Sequence, residues 1–97
     1  MSIIREGESG FRFIMESDFD ATGVVSREIR IKQPGVAAAL VKVATALTTD
    51  AAGDFFYTAA AADFAERGMY SAQLILDFGG GKKLKGRTEE FRVGESL

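Results

Sequence analysis

The sequence predicts an all-β domain, a β-sandwich or small barrel of about six to eight short strands. Three observations predict it. Apolar and polar residues alternate with a period of two in several short runs. Turn signals built from Gly, Asp, Thr and the single Pro separate those runs at intervals of about 8–15 residues. Only one stretch, near 60–67, reads as helical, and for no more than a single turn. The 97 residues suit one domain spanning 1–97. A chain of that length buries about two thirds of its unfolded surface, enough for one core without staples.

The elements follow in order. In "GFRFIME", Phe11, Phe13 and Met15 fall on one face and Arg12 and Glu16 on the other. "SDFDATG" (17–23) is a polar turn. "SREIRIK" alternates again, Ile29 and Ile31 inward and Glu28, Arg30 and Lys32 outward, until Pro34-Gly35 breaks it. The segment 36–48 reads two ways: its alanines favour a helix, while Val41, Val43 and the threonines favour a strand over 39–48. Residues 48–54 make a turn and 55–59 a short aromatic strand. The helical turn 60–67 closes at Gly68. "MYSAQLILDF" (69–78) then places Tyr70, Ala72, Leu74, Leu76 and Phe78 on one face, with Ile75 the exception. Gly79-Gly80-Gly81 turns the chain into a partner strand over 82–93. A bulge between Gly86 and Glu90 would bring Leu84, Phe91 and Val93 to the core face.

Composition removes whole classes of chemistry. The chain has no Cys and no His, so disulfides, tetrahedral zinc sites and His-based triads are excluded from it. A net charge of −2 gives no overall field for holding nucleic acid. No apolar run approaches the roughly 20 residues of a membrane span, and "MSIIREGESG" lacks the basic and apolar regions of a signal peptide. The chain reads as made in a cytoplasm, with no membrane partner.

Three stretches tempt a functional reading. "FGGGKKLKGR" has the glycines and lysines of a phosphate loop. It lacks that loop's spacing, and no helix begins after it. It reads instead as a glycine hairpin. Its Lys82, Lys83, Lys85 and Arg87 form a basic edge for a partner or, alternatively, for a polyanion. The polyanion reading expects binding that falls steeply with salt. "DFDATG" puts Asp18, Asp20, Thr22 and Gly23 at the first, third, fifth and sixth positions of a calcium loop. The twelfth position is Ile29 instead of Glu, so an Asx-type turn is the simpler reading. Glu89 and Glu90 are adjacent in a strand and point apart, so they form no acid–base pair. No catalytic, metal or cofactor residue is assigned, and no enzyme activity is expected. Three consecutive aromatics, Phe55-Phe56-Tyr57, cannot all face one core. Phe56 or its neighbours must face something else, such as a partner.

The order of these features resembles the small immunoglobulin-like domains of tailed-phage structural proteins, in particular the N-terminal domain of the baseplate upper protein family. The residues that carry it are Thr22-Gly23, the turn Lys32 to Gly35, Tyr57-Thr58, Asp63-Phe64, Gly68, Tyr70 and Gln73, then Gly81, Thr88, Phe91 and Val93. The proline turn departs from the family pattern in lacking a polar residue between Pro34 and Gly35. The resemblance covers nearly the whole chain. It implies an immunoglobulin-like antiparallel β-sandwich and a virion protein of the tail, baseplate or fibre attachment, present in several copies and working by protein–protein contact. A head decoration or head-fibre base is the alternative setting. With no fibre, coiled coil or receptor-binding head expected after Leu97, the chain reads as an adaptor, a hub piece or a decoration subunit.

Overall fold

A computed structural model describes residues 4–17 and 19–95. Among the described residues nine strands form two sheets: β1 (Ile4–Arg5), β2 (Arg12–Glu16), β3 (Ser26–Lys32), β4 (Leu40–Val43), β5 (Thr45–Ala46), β6 (Asp54–Thr58), β7 (Gly68–Gly79), β8 (Lys82–Lys85) and β9 (Glu89–Gly94). Two single 3-10 turns, Asp50–Ala52 and Ala61–Phe64, are the helical pieces among the described residues. The second of them is the helical turn expected near 60–67.

The larger sheet runs β1-β9-β7-β3-β4, with β8 also on β7; the smaller runs β2-β6-β5. All pairings are antiparallel except β1 with β9. This settles the sandwich against the barrel, and the strand order is the immunoglobulin one. The trio β3-β7-β9 stands as C, F and G, β4 as the added edge strand C′, and β2-β6-β5 as B, E and D. Tyr70 sits near the start of β7 and donates its hydroxyl to the Glu66 carbonyl four residues upstream, the placement of a tyrosine corner. The strand that would complete an ABED sheet, on the outer edge of β2, has no counterpart among the described residues.

The core follows the alternation. Ile29, Ile31, Phe55, Tyr70, Leu74, Leu76 and Val93 are buried between the sheets. At its centre Phe64 lies within 6 Å, ring centre to ring centre, of Phe11, Phe13, Tyr70 and Phe91. Ile75 is also buried, on the opposite face of β7, between Glu28 and Lys85 of the adjoining strands.

Two segments depart from their expected form. The strand foreseen over 39–48 is two strands in different sheets, and the alanines 37–39 are neither helix nor strand. The chain crosses between sheets at Ala44, buried, whose N–H donates to the Arg27 carbonyl at 3.0 Å. A few alanines cannot meet the cost of nucleating a helix when Val41 and Val43 can instead pair with Arg30 and Glu28. The expected partner strand 82–93 likewise breaks, between Lys85 and Glu89. Gly86 donates to the Leu74 carbonyl at 2.8 Å, and the Gln73 side-chain amide donates back to the Gly86 carbonyl. The break brings Phe91 and Val93 to the core side, as the parity slip requires. Leu84 lies opposite Leu76 and shares its face, but remains 36% exposed and outside the packed cluster, which corrects its assignment to the core.

Gly53 ends the first 3-10 turn at φ +79°, and a Cβ there would stand 2.3 Å from the Phe19 carbonyl oxygen and 2.6 Å from Ser17 Oγ. Replacing it with Ala therefore combines a disfavoured conformation with a backbone clash. The expected loss is about 2 kcal/mol, read as a shifted denaturant midpoint. Gly80→Ala, at φ +58° with open space around its Cβ, is expected to cost about 1 kcal/mol.

Candidate interaction surfaces

The outer face of the smaller sheet is built by alternation. Phe55 and Tyr57 turn into the core, so Phe56 turns out, as the run of three aromatics requires. It is half-buried, opposite Ile14 on β2 and Thr45 on β5. The Arg12 guanidinium sits 4.4 Å above its ring, a cation–π contact that screens it without covering Ile14, which is 47% exposed. Phe56 is thus an outward apolar residue flanked by an exposed apolar one. The same alternation in β2 carries Ile14 to the outer face with Arg12 and Glu16.

The basic hairpin is less unified than its sequence. Lys83 and Lys85 lie on β8 opposite Asp77 and Ile75, and both are exposed. Lys82 begins the strand with its ammonium 4.8 Å from the Phe78 ring centre. Arg87 lies beyond the end of β8, in the break, and pairs with Glu89 at 3.1 Å. The four charges therefore do not form one continuous basic edge: three lie on β8, and Arg87 lies beyond its end beside Glu89. Two exposed lysines on a short edge strand, Lys83 opposite Asp77 and Lys85 opposite Ile75, fit an edge kept from pairing with another sheet.

In the turn 19–23, Asp20 Oδ1 accepts the Thr22 N–H at 2.9 Å and also the Thr22 hydroxyl. This is the Asx-type arrangement, and the two bonds hold the Asp20 carboxyl below the usual carboxylate range. Asp18 of the calcium-loop reading lies outside the described residues. Among the described residues no three acidic side chains gather to hold a metal.

A charged cluster that the sequence did not reveal lies inside the sandwich. Asp63, 3% exposed, takes the Lys42 ammonium on Oδ1 at 2.8 Å and the Ala60 N–H on Oδ2 at 2.9 Å. Lys42 points inward from edge strand β4, and its ammonium lies 5.9 Å from the Tyr57 ring centre. Burial works to raise the Asp63 carboxyl, but Lys42 and the Ala60 N–H outweigh it and hold it below its ordinary value. The Tyr57 hydroxyl is buried beside the Asp63 carboxylate. Burial, then the Asp63 charge, push its ionisation up, so it stays neutral. Through the Lys42–Asp63 pair and the Tyr57 ring beside it, this cluster locks β4 and the second 3-10 turn to β6.

On the opposite side of the sandwich the two sheets leave a cleft of about 620 Å3, lined by Phe13 to Ser17, Leu74, Gly86, Arg87 and Glu89. It runs beside the outer edge of β2. Comparison with known proteins finds no family profile, no curated relative and no solved structure that matches this chain.

Proposed function

We propose that the protein is a non-enzymatic structural subunit that works by protein–protein contact, as a tail, baseplate or fibre-attachment component of a phage particle. The observation that carries the contact reading is the outer edge of β2, against which no strand of the described residues lies, beside an open cleft. Other edges are blunted: β8 by its lysines, β4 by the inward-pointing Lys42, β1 and β5 by being two residues long. β2 has five residues, no Pro, no Gly and no Lys. The setting in a particle rests on the ordered sequence resemblance. In an assembly of many copies, weak contacts of this kind gain strength by multivalency.

The test is composition and location. Particles purified from producing cells are expected to contain the chain at a fixed ratio to the major structural proteins, with its density on the tail or baseplate. Density on the capsid would move it to the decoration or head-fibre-base reading. Absence from every particle fraction would overturn the virion setting altogether.

A further inference from the structure

We propose that the outer edge of β2 receives an extended segment of another protein, which adds to the smaller sheet as an antiparallel strand beside β2. The partner segment carries a basic residue, three apolar residues and an acidic residue, in that order from its N-terminus.

The hydrogen-bond pattern defines the acceptor. Ser17 donates to the Gly53 carbonyl, and Ala59 donates to the Phe11 carbonyl, each across the β2–β6 register. In an antiparallel ladder the bonded pairs alternate, so the odd residues of β2 bond to β6. Arg12, Ile14 and Glu16 then aim their N–H and C=O groups away from β6, along the free edge. No strand of the described residues lies against them. An antiparallel strand centred on Ile14 would meet all six of these groups.

The side chains define the partner. Arg12, Ile14 and Glu16 all project from the outer face, so an antiparallel strand places its own residues opposite them at close range. Opposite Glu16 the complement is basic, opposite Ile14 apolar, and opposite Arg12 acidic. The two residues between them face inward over the cleft, where Leu74 forms part of the floor, so both are apolar. The added apolar residue beside Ile14 would extend the outward strip begun by Phe56. The proposal deepens the contact reading above, but it is measured on the isolated chain. Failure to find the chain in particles would leave it standing, and failure of strand addition would leave particle location untouched.

The probe is a nine-residue peptide, Ser-Thr-Lys-Val-Val-Val-Glu-Thr-Ser, set against a twin in which Lys and Glu are exchanged. Amide hydrogen exchange read by NMR is expected to slow at Arg12, Ile14 and Glu16 with the first peptide. Phe13 and Met15, already bonded to β6, should change less. The exchanged twin should bind about fivefold more weakly, because both cross-strand charge pairs become repulsive. The double variant Arg12→Glu, Glu16→Arg alters only exposed side chains and should invert that preference. The proposal is overturned by unchanged exchange at those three amides, by equal affinity for both peptides, or by a concentration-dependent dimer in which a second copy occupies this edge.

Discussion

Phe64→Ala is expected to cost about 4 kcal/mol. The ring is fully buried and lies in the one cluster that joins Phe13 of the smaller sheet to Tyr70 and Phe91 of the larger. Removing it takes away the transfer energy of a whole aromatic side chain and leaves a cavity its rigid neighbours cannot close. The ring contacts themselves add to that loss. Domains of this size are stable by about 5–15 kcal/mol, so the variant approaches the limit of folding. Phe64→Leu refills most of the space and should cost about 1.5 kcal/mol. Guanidinium unfolding checks both: the midpoint should fall in that order with an unchanged slope. Equal losses for the two variants would show that the position is not packed as described.

Much of this fold was legible because strand faces are set by parity. Ile29 and Ile31 inward, Phe56 outward between two buried aromatics, and the long buried face of β7 all follow from a period of two. The parity slip after Leu84 correctly announced an irregularity, and the glycine at 86 marks where the strand breaks. Parity says which way a side chain points and nothing about what covers it. Leu84 points as Leu76 does and is still 36% exposed. Spacing in sequence cannot reveal contacts made by the pairing of distant strands. Lys42 and Asp63 are separated by an entire crossover between sheets, and nothing local to either marks the other. The outer edge of β2, with no strand of the described residues against it, was equally invisible. A strand's sequence shows its two faces, whereas a missing neighbour becomes visible only once the sheet order is known.

Asp63→Ala is expected to cost about 3 kcal/mol at neutral pH, and the penalty should shrink on acidification. The carboxylate is almost fully enclosed and meets both the Lys42 ammonium and the Ala60 N–H, so truncation leaves one cation and one donor without their acceptor. Lys42 is 29% exposed in its side chain and can turn toward water, which places the estimate at the lower end for a broken buried pair. The direction with pH follows from linkage. Asp63 is held below its ordinary value when folded, so it binds a proton less readily there than in the unfolded chain. Its contribution is complete above the unfolded carboxylate value of about 4 and is lost as pH falls through the lower folded value. Asp50, lowered by its bonds from Arg27, and Asp20, lowered by Thr22, act in the same direction. The wild-type protein should therefore lose stability below about pH 4, while Asp63→Ala should lose less over that range. Lys42→Met gives the complementary result. It leaves the buried carboxylate without its cation, so burial dominates and the Asp63 carboxyl rises above its wild-type value. That variant should be destabilised at neutral pH and approach wild type in acid. In the double variant the two losses should sum to less than their separate values, because each single change already breaks the same pair. Denaturant midpoints of the four proteins between pH 3 and pH 7 decide the matter. A penalty for Asp63→Ala that stays constant over that range would mean the pair contributes nothing through charge.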